Sequence, residues 1–162
     1  LLVDSQNIWF SARERFGKGA RIDFKKLRDR VERGRLLAMS YALAFIPWAE
    51  RAHPITKALR KLGYEWQERA EDFSIQLAEL ERWLWREEHT LSTLAIASGD
   101  GGFCDVMAHA RERQVRVELY TFRDVAMNKD LPQHADQVTE LGAEVLLGDF
   151  ATFGKFHMDD PD

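Results

Sequence analysis

The chain has 162 residues, 45% of them hydrophobic and 31% charged, with a formal net charge of −4. This length and composition suit one domain with a sizeable core, and the single cysteine, Cys104, excludes a disulfide framework or a cysteine-based zinc site. No apolar run approaches the roughly 20 residues of a membrane-spanning helix, and the negative balance argues against indiscriminate nucleic-acid binding.

The charge is unevenly spread. Residues 11–35 hold ten Lys/Arg against four Asp/Glu, a local +6, whereas residues 136–162 hold seven acids against Lys155, a local −6. Such polarity is compatible with a phosphate-facing side, and equally with a basic helix on a solvated surface. Leu1-Leu2-Val3 runs straight into Asp4 without a secretory pattern, so a cytoplasmic location is expected. The expected organisation is one domain over residues 1–150 and an acidic tail over 151–162.

In chain order, residues 1–3 read as a buried strand ending at Asp4. Asp23 is placed to cap a helix across Phe24, Leu27 and Val31 that stops near Gly34. The run 36–46 (LLAMSYALAFI) is too apolar for a surface helix and reads as a central strand closed by Pro47. Residues 53–62 fit a short helix ended by Gly63, and 64–67 fit a strand. A long amphipathic helix is expected over 72–88, with Ile75, Leu77, Ala78, Leu80, Trp83 and Leu84 on its apolar side. A strand over 94–98, a helix over 103–113 and a strand over 115–121 follow. The last elements are a helix over 131–136 and a short strand over 144–147. This alternation predicts an α/β fold, a parallel sheet covered on both faces.

In open parallel sheets, sites form at the carboxyl ends of strands, near the point where strand order reverses. The stretch 95–105 (AIASGDGGFCD) ends an apolar strand in Ser98-Gly99-Asp100 just before a helix. Asp4 ends the first strand in the same way, and right-handed crossovers could make the two strands neighbours. A carboxylate at such a joint either caps the helix or holds a ligand. Asp72, Gln76 and Glu79 share a helix face, but seven residues rise about 10 Å. Magnesium keeps its oxygens at about 2.0–2.1 Å, so Asp72 and Glu79 are too far apart to share one ion. No His pair or His/Cys cluster has zinc-ligand spacing. His109, one turn after Asp105, reads as a surface pair. Neither G-x-G-x-x-G nor G-x-x-x-x-G-K-[ST] is present, which counts against a phosphatase or nucleotide-binding domain that cradles phosphates in a Gly-rich loop.

Val3-Asp4-Ser5-Gln6-Asn7 resembles the "D-x-x-N" opening of the NYN domain, a branch of the PIN-like nuclease fold. The start of the long helix, Asp72-Phe73-Ser74-Ile75-Gln76-Leu77-Ala78, is similar to that family's "V-D-V-x-L" segment. Ser98-Gly99-Asp100-Gly101-Gly102-Phe103 is similar to its "SGDxDF" block, followed by the strand Arg116-Val117-Glu118-Leu119. Leu131-Pro132-Gln133-His134-Ala135-Asp136 resembles its "L-x-x-x-A-D" segment. The blocks keep the family order and span about residues 1–141. The resemblance implies a PIN-like, Rossmann-like three-layer α/β/α fold with a mostly parallel central sheet. It implies a ribonuclease that hydrolyses RNA phosphodiester bonds with Mg²⁺ or Mn²⁺. Asp4, Asp72 and Asp100 take the acidic positions, Asn7 the polar one after the first strand, and Ser98 the small hydroxyl residue before the central acid. The chain departs from the family where Gly102 replaces a second acid and Ala78 replaces a helical one. Asp105, in the first turn of the next helix, is the candidate substitute ligand, with a favourable place at a helix start as its competing explanation. The departures motivate an alternative, a catalytically degenerate domain that binds RNA or a protein.

Arg13, Arg15, Lys18 and Arg21 follow the first strand in an expected loop near the same edge, where they could bind substrate phosphates. Trp9 and Phe10 offer faces for base stacking, with burial under that loop as the competing role. Trp85 is offset from the apolar side of its helix; an exposed aromatic there could mark a homodimer contact, with ordinary scattered exposure as the competing reading.

Overall fold

The computed structural model of the chain describes residues 1–33, 42–46, 54–86, 91–125 and 127–148. Six strands, β1 (Leu2–Asp4), β2 (Ala42–Ile46), β3 (Tyr64–Glu68), β4 (Thr93–Ala97), β5 (Arg116–Thr121) and β6 (Gln137–Glu140), form one sheet. Their order is β3-β2-β1-β4-β5-β6, and every neighbouring pair is parallel. The helices are α1 (Ser5–Phe16), α2 (Phe24–Glu32), α3 (Pro54–Lys61), α4 (Phe73–Leu84) and α5 (Cys104–Glu112).

The strand sequences explain the three layers. Adjacent strand residues point to opposite faces, and both faces of the inner strands are apolar. Val3, Ala44, Ile46, Ala95 and Ala97 face one core with Ile8 and Ala12 of α1, Leu27 and Val31 of α2, and Leu59 of α3. Leu2, Phe45, Leu94 and Ile96 face the other, with Leu77, Leu80 and Leu84 of α4 and Val106, Met107 and Ala110 of α5. The chain thus winds outward from β1 to β3, then returns through α4 on the other face to β4. The reversal lies between β1 and β4, where Val3 pairs with Ala97. A crevice at the carboxyl end of such a pair is the favoured ligand site of an open α/β sheet.

Several sequence expectations change. The segment after β1 is not a loop but α1, because Asp4 caps it and Ile8, Ser11 and Ala12 recur on one buried face. Beyond Phe16, the chain turns at Gly17, whose φ of +93° suits glycine. The helix expected over 131–136 is a short 3-10 turn, Leu131–His134. The strand expected over 144–147 is a 3-10 turn, Ala143–Val145, followed by a single antiparallel bridge between Leu146 and Ile22. The true sixth strand, Gln137–Glu140, was not expected, since an edge strand of mostly polar residues carries little apolar signal. On α4 the inward face is Phe73, Leu77, Leu80 and Leu84, whereas Ile75 is 59% exposed and Ala78 is also outside. Trp85 is half-buried against the α4–α5 core, under the Arg113 guanidinium, so it does not present the exposed aromatic expected for a dimer contact. Residues 36–41, Pro47, His53, Glu88 and the tail 151–162 lie outside the described residues. No helix among the described residues is long and apolar enough to cross a membrane.

Candidate active site

Asp4 is the last residue of β1 and the first capping residue of α1. Its side chain accepts the Asn7 backbone N–H at 3.2 Å, and the residue is fully buried. One strand over, Asp100 follows β4 and caps a 3-10 turn, Gly101–Phe103, by accepting the Gly102 N–H at 2.9 Å. Both carboxylates therefore do the capping work that their positions dictate, with one oxygen each. The second oxygens meet the same cation. Arg69 donates from Nη1 to Asp4 Oδ2 and from Nη2 to Asp100 Oδ2, the latter at 2.6 Å.

Arg69 is the residue that sequence reasoning missed. It is the first residue after β3, at the same carboxyl edge, and its backbone N–H extends the ladder to the Ile46 carbonyl. Its guanidinium lies over the Phe73 ring at 3.8 Å, a favourable cation–π distance. Gln76 of α4 fixes this corner from below. It donates to the Glu68 carbonyl at 2.7 Å and to Gln67 Oε1 at 3.3 Å, and it accepts from the Ala70 N–H at 3.0 Å. The available signal was a basic residue at a strand end three residues before an acidic helix cap.

Ser98 and Asn7 hold the central loop. Ser98 Oγ donates to Asp4 Oδ2 at 3.4 Å and accepts the Asp100 N–H at 3.0 Å, and Asn7 Oδ1 accepts the Gly99 N–H at 2.7 Å. Asn128 adds a clamp from beyond β5, its N–H donating to the Gly99 carbonyl at 2.8 Å. Burial pushes the Asp4 carboxyl above its usual range, against the opposing pull of Arg69 and the Asn7 N–H. Burial of Arg69 is outweighed by its hydrogen bonds to the two aspartates, which hold it more firmly protonated than usual.

The other assigned acids lie elsewhere. Asp72 is exposed and caps α4, accepting from the Ser74 hydroxyl and from the Ser74 and Ile75 N–H groups at 3.1 and 3.4 Å. These bonds, the Ser74 hydroxyl first, hold its carboxyl below the usual range. Asp105 is exposed in the first turn of α5. Among the described residues no three His, Cys, Asp or Glu side chains are grouped to hold a metal ion. Thus the structure brings Asp4 and Asp100 together but not Asp72 or Asp105. A Cβ at Gly102 would lie 3.3 Å from both Asp100 Oδ1 and Leu77 Cδ1, so a side chain at this exposed position would need its neighbours to give by a few tenths of an ångström. His109 pairs with Glu81 of α4 rather than with Asp105.

Of the four basic residues, Arg15 is tied down by Glu140 at 2.6 Å, and Arg13 stacks on Trp9 at 4.3 Å. Lys18 and Arg21 are exposed. A cavity of about 550 Å³ is lined by Ser5 and Gln6, which follow Asp4 along the chain, and by Trp9, Arg21, Ile22 and Phe24; neither Asp4 nor Asp100 lines it. Phe10 is 54% exposed rather than covered.

An all-parallel sheet covered on both faces, with an aspartate at each strand end of its reversal point, is the three-layer α/β architecture of PIN-like domains. The NYN domain model matches residues 1–142, and the chain belongs to that family, whose members are generally ribonucleases. No curated protein matches the chain. Among solved structures, a protein of unknown function from Vibrio parahaemolyticus RIMD 2210633 is similar, with a TM-score of 0.63 and 18% identity. The match covers 90% of this chain and 93% of that one, and at this identity it speaks for the fold.

Proposed function

We propose that the chain is a metal-dependent ribonuclease that hydrolyses RNA phosphodiester bonds at the edge carrying Asp4 and Asp100. The observation that carries this reading is the convergence of a buried and a half-buried carboxylate on one positive charge at the reversal point of the sheet. The donor set fits Mg²⁺ or Mn²⁺, because such hard ions are commonly held by one or two carboxylates, with waters and substrate phosphate completing the shell. Asp4 and Asp100 would be the ligands. When bound, the ion supplies polarisation of a phosphoryl oxygen and acidification of a water.

The chain's own groups do the rest. Ser98 and Asn7 keep the two carboxylates in register, so that neither can turn away to solvent. Asp72 acts through structure: by capping α4 it places Gln76, and Gln76 places Arg69. Arg21 and Lys18 receive substrate phosphates, and Trp9 and Phe10 offer aromatic faces to unpaired bases.

The test is cleavage of a labelled single-stranded RNA with Mg²⁺ or Mn²⁺, with EDTA, and with the Asp4→Asn and Asp100→Asn variants. The expected result is cleavage by the natural chain alone, abolished by EDTA. RNA binding that survives EDTA, with no cleavage under any condition, would establish the second reading, a degenerate NYN domain that binds RNA. Gly102 and the absence of a three-acid group among the described residues favour that alternative.

A further inference from the structure

We infer that Arg69 is the resident cation of the carboxylate pair, and that a divalent ion enters this site only by displacing it. The inference rests on the reading of Asp4 and Asp100 as metal ligands. It follows from an account of their four oxygens. Oδ1 of Asp4 is committed to the Asn7 N–H, and Oδ1 of Asp100 to the Gly102 N–H. These bonds cap α1 and the following 3-10 turn, so the fold itself fixes which oxygens remain. The remaining pair, Oδ2 of each, receives the two Nη atoms of one guanidinium, and Asp4 Oδ2 also accepts from the Ser98 hydroxyl at 3.4 Å.

A single ion bridging the two residues therefore needs the same two oxygens. It cannot share them with Arg69, since a divalent charge and a guanidinium would then face one another across a buried carboxylate. Arg69 is held for the purpose by its neighbours as well. Phe73 supports the guanidinium face, the Ile46 carbonyl holds its backbone, and Gln76 fixes the residues on either side. Its side chain is only 17% exposed. The site is thus charge-compensated without metal, and the fold does not depend on an ion to tolerate the buried Asp4.

The experiment measures Mn²⁺ binding in the absence of RNA, by electron paramagnetic resonance of the free ion. It compares the natural chain with Arg69→Gln and with the double variant Asp100→Asn, Arg69→Gln. Releasing two charge-assisted hydrogen bonds from the exchange predicts Mn²⁺ binding by Arg69→Gln that is tighter by about a hundredfold or more. The gain should vanish in the double variant. Equal affinity of the natural chain and Arg69→Gln would overturn the inference and leave the metal-site reading standing. Absence of Mn²⁺ binding in both would remove that reading and the inference with it. Should Arg69→Gln fail to fold, Arg69→Lys keeps the charge but loses the fork, and tighter Mn²⁺ binding than the natural chain is again expected. In the natural chain, Mg²⁺ titration followed by nitrogen NMR should release the Arg69 guanidinium from its hydrogen-bonded state. A guanidinium unchanged at saturating Mg²⁺ would refute the exchange.

Discussion

Asp4 shows how one residue serves two demands. Its carboxylate caps α1 and holds Arg69, yet complete burial disfavours its charge, and burial prevails. A carboxyl raised in the folded state contributes stability that is present at low pH and lost as pH rises through the folded value. Asp4→Asn removes that loss while keeping an acceptor for the Asn7 N–H. The stability of the natural chain should therefore fall relative to that of the variant as pH rises through the Asp4 titration. Thermal unfolding followed by circular dichroism across pH 4–8 would check this, and a difference independent of pH would contradict it. Asp72 has the opposite sign. Its carboxyl is lowered by the Ser74 hydroxyl and the Ile75 N–H, so its capping contribution is present above the ordinary carboxylate range and lost as pH falls.

At the scale of elements, α4 joins stability to the site. Its inward residues, Phe73, Leu77, Leu80 and Leu84, pack on the sheet, and its first two turns carry Asp72, Phe73 and Gln76 toward Arg69. Leu80→Ala should destabilise the chain by about 2–5 kcal/mol, as other buried leucine truncations do. Ile75→Ala, on the exposed side, should stay within about 0.5 kcal/mol. Urea midpoints of the two variants would decide whether the apolar face has been read correctly. Gln76→Ala exposes three hydrogen-bonding groups to water rather than stranding them, so a loss of about 1 kcal/mol is expected. Because it loosens the corner that holds Arg69 on the two aspartates, Gln76→Ala should also let Mn²⁺ compete more easily and bind more tightly than in the natural chain. An unchanged Mn²⁺ affinity in Gln76→Ala would remove this positioning role.

For the whole molecule, charge decides how RNA would approach. The net charge is −4, but the segment from residue 11 to 35 is basic. Within it Arg15, Lys25 and Arg28 already have acidic partners, whereas Arg21 lines the cavity with Ser5 and Gln6, and Lys18 is exposed. Each phosphate contact to a single strand contributes about 0.7 to the slope of log affinity against log salt. In an Asp100→Asn background, chosen because that variant is expected to lack cleavage, Arg21→Ala should lower that slope by about one contact. Arg15→Ala should change it less, because its charge is spent on Glu140. Fluorescence anisotropy of labelled RNA over a potassium chloride series would measure both, and equal effects would displace the proposed path.

Local chemistry alone settled much of this. Alternating apolar strands, the Asp23 cap and the joints at Asp4 and Asp100 are short-range features, set by pleat geometry and by the need to satisfy helix N-termini. The family motifs are local for the same reason, since they fall at strand ends. What only the tertiary structure decided is who meets whom across the sheet. The partner of Asp4 and Asp100 is Arg69, which follows a strand two places from β1, and a basic residue at a strand end does not by itself say which acids it will meet. Asp72 reads as a ligand from its motif, yet its helix start leaves it capping α4 in solvent. Strand β6 and the half-buried Trp85 were hidden likewise, because an edge strand and a helix flank owe their burial to neighbours far along the chain. Spacing fixes direction along an element, but distance between elements is set by how the layers stack.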